Sequence, residues 1–391
     1  MEFKMPLTVK DLLVSLVRIP SVNQFITGAK DAEHDLAVYI QGCAGSFGLE
    51  TRLLNVPGCG NNLLVLKEFN SSAPWIIFCA HMDTVSSDGM DFAPFGAMEK
   101  DGRILGRGAC DDKGCIAGSL WALNEVTLSD GGPNNIALLF TIDEEQHRNG
   151  ATAFAETHLH SLGFKPAGVI VAEPTSLRPV VAHAGIAHFA VTTKGRAAHA
   201  SEPSKGRSAI KDMAVVMDAL EKEYINRLTA VDPLCGKAQC SINMIQGGRQ
   251  VNAIADECTI RVDRRVMPGE DVEFVLPEVE KVLLRLRRAD PALDVSVRSE
   301  FKDDPLTQDI KSPFITWTLD AVKKTGLNAV PIGAQFATDA GALSRAGLPC
   351  VVIGPGDGTL AHTAKESIGI DELEEGVRVF KALMLQNFPS A

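Results

Sequence analysis

The chain has no apolar run near the roughly 20 residues that a membrane-spanning helix needs, so no transmembrane anchor is expected. It has no Cys-x-x-Cys pair, and its nine cysteines are odd in number. Cys79 and Cys350 sit inside apolar runs, as small core residues do. This is the usage of a reduced compartment rather than of a disulfide framework. The segment from Met1 to Val17 is amphipathic and contains acids, without the apolar core and cleavage site of a signal peptide. A cytoplasmic protein is therefore expected. An excess of positive charge is also absent. The formal net charge is −11, which disfavours nonspecific nucleic-acid binding. No internal repeat and no low-complexity segment interrupts the chain.

With 45% hydrophobic and 22% charged residues over 391 positions, two domains with substantial cores are expected. Short apolar runs such as Trp75 to Ala80, Ile136 to Ile142, Val169 to Ala172 and Cys350 to Ile353 read as buried strands. Helical patterns alternate with them at Thr8 to Val17, Asp31 to Phe47, Asp112 to Val126, Ala151 to Leu162, Ser312 to Thr325 and Asp371 to Leu385. Alternation of this kind predicts an α/β fold, with a mostly parallel sheet and helices on both faces. Between Pro179 and Ser312 the pattern changes to about four strands and two helices, which predicts an inserted, smaller α+β domain. The expected division is residues 1–185 with 300–391, and 186–299 as the insertion.

Each of the four buried runs ends in a chemically active residue. His81-Met82-Asp83, Asp143-Glu144-Glu145, Glu173-Pro174-Thr175 and the Gly-rich loop leading to Ala361-His362 follow them in turn. Open α/β sheets bind ligands at the carboxyl ends of their strands. A ligating His needs its second ring nitrogen held, and Asp83 stands close enough to hold that of His81. Asp111, in Gly108-Ala109-Cys110-Asp111-Asp112-Lys113-Gly114, reads either as a helix N-cap or as a carboxylate bridging two cations. Adjacent Glu144 and Glu145 read either as solvated surface or as a divided pair, one ligating and one serving as general base. The Gly354-Pro355-Gly356-Asp357-Gly358 loop lacks the Lys-Ser/Thr of a phosphate-binding loop. Two His and three or four carboxylates together predict a dinuclear site. The mixed ligation suits Zn²⁺, Co²⁺ or Mn²⁺. In the insertion, His199 lies outside any apolar run and reads either as a surface-turn His or as a functional group. Asn252 follows the Gly247-Gly248 turn, and Arg264-Arg265 ends a strand, where an Arg suits a substrate carboxylate by its fork while one of the two could equally be a surface charge.

These segments, in this order and across nearly the whole chain, resemble the dinuclear zinc metallopeptidase and deacylase family. Its members include acetylornithine deacetylase, succinyl-diaminopimelate desuccinylase, glutamate-releasing carboxypeptidases, aminoacylases and dipeptidases. The resemblance implies a zinc-exopeptidase-like fold with an inserted lid that forms a homodimer. It also implies two Zn²⁺ per chain, one held by His81, Asp111 and Glu173, the other by Asp111, Glu145 and His362. Glu144 would be the general base and Asp83 would orient His81. His199 would polarise the scissile carbonyl in the partner subunit, and Asn252 and Arg265 would contact substrate. Ala198 stands where the family usually has Gly, and Thr338-Asp339-Ala340-Gly341 lacks an Arg found in many dipeptidases and desuccinylases. The loop residues look more like the acetylornithine deacetylase branch. The expected reaction is deacylation of an N-acyl amino acid, N-acetylornithine first. The alternatives are desuccinylation or cleavage of a dipeptide or C-terminal residue. Two other classes compete with this reading. One is a cysteine hydrolase using Cys110 with His81, disfavoured because surrounding carboxylates raise a thiol's pKa. The other is an inactive binding protein on the same fold, which would be expected to have lost Glu144 or a ligand.

Overall fold

The computed structural model describes residues 5–129 and 131–389. The chain divides into two compact units. One is built from the chain up to Val181, Gln308–Gly333 and the chain from Thr338 onward. The other is built from Ala182–Thr307 and Ala334–Ala337.

The first unit is organised by an eight-stranded sheet. Its order is Glu50–Val56, Gly60–Lys67, Asn135–Thr141, Trp75–His81, Pro166–Val171, Cys350–Val352, Val180–His183 and Ile332–Ala334. The four central strands, from Asn135–Thr141 to Cys350–Val352, run parallel. Both faces are buried, as their unbroken apolar composition requires. Phe78, Leu138 and Ile170 alternate onto one face and share a core with the helices Val9–Val17, Lys113–Leu128, Pro313–Lys324 and Ile370–Leu385. The opposite face meets the short helix Ala340–Arg345. The fold is thus a mixed α/β architecture with a large, centrally parallel sheet between helices.

Register carries this order to one edge of the sheet. His81 pairs with Thr141, so the Asp143-Glu144-Glu145 loop leaves the sheet beside it. Cys79 pairs with Val171, and Val352 pairs with the same Val171. Two residues further along each strand, His81, Glu173 and Gly354 are therefore level. Gly354 and Gly356 permit the last loop to lie close. A Cβ on Gly354 would stand 2.7 Å from the Glu173 carbonyl oxygen, and Gly356 has φ +105°.

The second unit is a four-stranded antiparallel sheet in the order Gln239–Gly247, Glu257–Val266, Gly185–Lys194, Asp294–Asp303. The helices Ala209–Glu223 and Val275–Ala289 share a core with one face, through Ala187, Phe189, Val191, Ile260 and Val262.

Several local expectations needed correction. The helix expected from Asp31 begins at His34, because Asp31 adopts φ +53°, which an α-helix cannot contain. The helix expected over Ala151 to Leu162 is three joined pieces, an α turn at Asn149–Ala153, a π turn at Phe154–His158 and a 3₁₀ turn at Leu159–Ser161. The first helix of the insertion starts at Ala209, where Ser208 accepts the Lys211 N–H as its cap.

Asn62 clasps the loop that carries Glu144. It is fully buried, accepts the Ile142 N–H at 3.1 Å and donates to the Gly150 carbonyl at 2.8 Å. Removing it leaves two buried backbone groups unpaired, at about 1–3 kcal/mol each. Asn62→Ala should therefore lower the denaturation midpoint and speed amide exchange at Ile142. Wild-type exchange at that amide in the variant would show that the clasp carries no load.

Candidate metal centre

Asp111 is common to two overlapping donor groups. His81, Asp111 and Glu145 form one, and Asp111, Asp112 and Glu173 form the other, each with its ligand atoms within 4.8 Å of one another. His362 joins the first. Its Nε2 lies 3.2 Å from Asp111 Oδ2 and 3.0 Å from Glu145. All five residues expected as ligands thus share one cluster. Asp112 is an addition, sitting with Glu173 beside Asp111.

The environment of each group follows from its strand or loop. The His81 Nδ1–H donates to the Asp83 carbonyl at 3.0 Å, since a carbonyl oxygen can only accept. Nε2 is then turned to Asp111 Oδ1 at 2.9 Å. This is the tautomer in which Nε2 can ligate a metal. Asp83 does more than orient His81. It is fully buried, and its carboxylate accepts from the backbone N–H of Glu144 at 3.0 Å, from that of Glu145 at 3.1 Å, and from Asn23 at 2.7 Å. Asp112 Oδ2 accepts the His81 backbone N–H at 3.0 Å. Asp112, not Asp111, occupies the N-cap of the helix Lys113–Leu128, and it makes no side-chain cap bond there. The helix-cap reading of Asp111 is thereby corrected, because that carboxylate faces the two imidazoles instead.

Glu144 is buried and meets Arg148 at 2.9 Å. Asp339, also buried, accepts from Thr141 at 2.7 Å. Its carboxyl is pushed up to about 7 by burial and then by the charge of Glu144.

The electrostatics are those of carboxylates crowded out of water. Burial, then the charge of Asp111, pushes Glu145 up to about 7. Burial, then the charge of Asp112, raises Glu173 well above the carboxylate range. Burial opposes charge on His81, but its bonds to Asp111 and Asp83 outweigh it and raise its pKa. His362 is pushed up to about 10 by its bonds to Asp111 and Glu145. Asp112 Oδ1 is buried without a hydrogen-bond partner among the described residues. A buried, partnerless carboxylate oxygen amid imidazoles and acids fits a divalent-cation site.

The remaining candidates lie in the second unit. His199 is exposed, and its Nδ1 accepts the Ser201 N–H at 3.2 Å, so in the neutral ring the proton sits on Nε2. Asn252 is exposed, and its carbonyl accepts the Ala200 N–H at 3.0 Å, which ties it to the His199 loop. Arg265 is held along one edge by Asp263, at 2.9 and 3.1 Å, and its Nη1 meets the Gln335 carbonyl at 3.3 Å. Cys110 is fully buried, and burial followed by the charge of Asp111 pushes its thiol far above the ordinary range. A thiol in that state is no nucleophile.

Asn23, Asp112, Arg148 and Glu366 were missed as site residues. The doubled Asp111-Asp112 was the only local signal for any of them. Asn23 and Glu366 come from loops remote in sequence, and Arg148 acts on Glu144 from four residues further along the same loop.

Comparison with known proteins points to one family. The chain is 27% identical over 95% of its length to a protein named probable succinyl-diaminopimelate desuccinylase from Staphylococcus epidermidis, covering 95% of that protein. It is 25% identical over 98% of its length to an acetylornithine deacetylase of Buchnera aphidicola, covering 99% of it. The fold matches that of an M20 family metallo-carboxypeptidase from Sulfolobus solfataricus with a TM-score of 0.80 at 17% identity, over 96% of this chain and 98% of that one. No described helix is long and apolar enough to cross a membrane. The model of peptidase family M20/M25/M40 matches residues 77–386, and the chain belongs to that family of hydrolases acting on amide bonds.

Proposed function

We propose that the chain is a cytoplasmic two-cation amidohydrolase that removes the acyl group from an N-acyl amino acid, N-acetylornithine. The carrying observation is that Asp111 belongs to two donor groups at once, beside a buried Glu144 that belongs to neither. His81, Asp111 and Glu173 would hold one Zn²⁺, and Asp111, Glu145 and His362 the other, with Co²⁺ or Mn²⁺ as substitutes. Such cations supply Lewis acidity to an amide carbonyl and lower the pKa of a water molecule.

The chain's own groups do the rest. Glu144 takes a proton from the attacking water and delivers it to the leaving amine. Arg148, 2.9 Å away, keeps the carboxylate oriented. His199 presents an Nε2–H to the developing oxyanion in the partner subunit. Arg265 reads the substrate carboxylate through the guanidinium edge that Asp263 leaves open, and Asn252 adds a polar contact. The second unit supplies the dimer contact. Its edge strand Gln239–Gly247 carries exposed Met244 and Ile245, an apolar edge that a second copy would cover. Relatives named acetylornithine deacetylase support the substrate. The relative named probable succinyl-diaminopimelate desuccinylase makes an N-succinyl amino acid the second reading.

Glu144→Ala should lose about 10²- to 10⁴-fold in turnover while elemental analysis still finds two divalent cations. Glu145→Ala should lose cation as well. Identical behaviour of the two variants, or wild-type activity surviving a strong chelator, would remove the division between base and ligand.

A panel of N-acetyl, N-succinyl and dipeptide substrates decides the acyl group. Within it, Arg265→Lys keeps the charge but loses the fork, so KM should rise, with kcat/KM falling about ten- to a hundredfold, the worth of a charged hydrogen bond. An amidated substrate should cost wild type a similar factor and the variant little more. Equal cleavage of acid and amide by wild type would end the role of Arg265.

Mixing His199→Ala chains with Glu144→Ala chains should restore activity, because a mixed dimer regains one intact site. No recovery despite demonstrated subunit exchange would place His199 in its own chain's reaction or outside it.

A further inference from the structure

Glu366 lies four residues beyond His362 and is fully buried, yet its carboxylate belongs to neither donor group. Its oxygens are used elsewhere. Oε1 accepts the backbone N–H of Cys110 and that of Asp111, both at 3.1 Å. Oε2 makes a short ion pair with Nη1 of Arg107, which is itself only 2% exposed. Arg107 Nε then donates to the Ser86 carbonyl at 2.9 Å. The Glu366 carbonyl accepts the Gly106 N–H at 3.2 Å, and the next residues continue the connection as a strand, with Ser367 opposite Leu105.

One buried pair therefore ties together three segments of the first unit. They are the loop that follows His81 and Asp83, the turn that presents Asp111, and the loop that presents His362. The peptide units it grips are those of Asp111 and the residue before it, so the grip acts on the backbone from which the shared carboxylate projects. The choice of residue is informative. An amide or hydroxyl could accept from two N–H groups without adding negative charge beside Asp111, Asp112, Glu145 and Glu173. A buried ion pair is also a poor way to gain stability over apolar packing. A carboxylate does offer charge-assisted bonds of fixed direction to several donors at once.

We propose that Arg107 and Glu366 are positioning residues for the cation pair. They fix the Asp111 backbone against the His362 loop and so set the affinity of the cation held by Asp111, Glu145 and His362. This rests on the two-cation reading above. Residues that orient ligands from outside the coordination shell typically contribute about 10- to 100-fold in metal affinity.

The experiment is a competitive titration of metal-free protein with Zn²⁺, and with Co²⁺ read by its visible spectrum. Wild type is compared with Glu366→Gln, Arg107→Lys and Glu270→Gln. The last is a matched control, because Glu270 pairs with the buried Arg264 and accepts the Met267 N–H at 2.7 Å, wholly within the second unit. Glu366→Gln and Arg107→Lys should weaken one of the two cations about 10- to 100-fold and alter the Co²⁺ spectrum. Glu270→Gln should leave both unchanged, whatever it does to the melting temperature. If Glu366→Gln does not fold, Arg107→Lys, which keeps the positive charge, carries the measurement. Two cations bound by wild type and bound equally well by both variants, with the same spectrum, would overturn this inference alone. A wild-type chain without affinity for either ion would overturn the two-cation reading, and this inference with it.

Discussion

Mutual repulsion among buried carboxylates is the constraint around which the first unit is built. Asp83, Asp111, Asp112, Glu144, Glu173 and Asp339 are all buried. Ionised groups so close repel strongly once water is excluded, and burial alone already disfavours their charged forms. The fold answers with donors aimed at particular oxygens. Asp83 receives two backbone N–H groups and an Asn amide. Asp111 receives two imidazoles, and Glu144 an Arg. What these donors leave unbalanced is the attraction available to divalent cations. The second unit has no comparable cluster among its described residues. It is held by ordinary burial of alternate strand residues against two amphipathic helices.

Placing such groups within a few ångströms requires a rigid frame, and the parallel centre of the sheet is that frame. Its strands are apolar on both faces, so a register slip would cost burial on each side. His81, Glu144, Glu145 and Glu173 need no long loops of their own, because they begin where the hydrogen-bonded ladder ends. Loops carry the chemistry, but the ladder sets their spacing.

That arrangement also explains what could be read from the sequence. His81, Glu144, Glu145, Glu173 and His362 follow strands or loops whose apolar runs stop abruptly, so the pattern exposed them together. Asp112 was hidden by its neighbour, since either acid of the pair could have been the helix cap. Glu366 and Asn23 gave no local signal, because each works through a partner distant in sequence. The strand Glu50–Val56 went unrecognised for a different reason. It lies at the sheet edge, and most of its residues are at least partly exposed, so its composition is mixed rather than apolar. The hold of Asp263 on one edge of Arg265 was legible in principle. Asp263 and Arg265 are two apart in a strand and must share a face.

The strand Cys350–Val352 lies between Pro166–Val171 and Val180–His183, although those two are near neighbours in the chain. During synthesis, the slot between them must therefore stay open until residues 350–352 emerge. All of the second unit is made in the interval, and it has a self-contained core with which to fold first. The nascent first unit meanwhile exposes an unpaired, wholly apolar strand edge, the kind of surface that invites wrong partners. Completion of the sheet and arrival of His362 are then a single late event of high contact order. A polypeptide truncated before residue 350 would lack more than the ligand His362. It would be left with an open seam through the middle of its largest sheet, and the expected fate of such a chain is aggregation rather than a weakened enzyme.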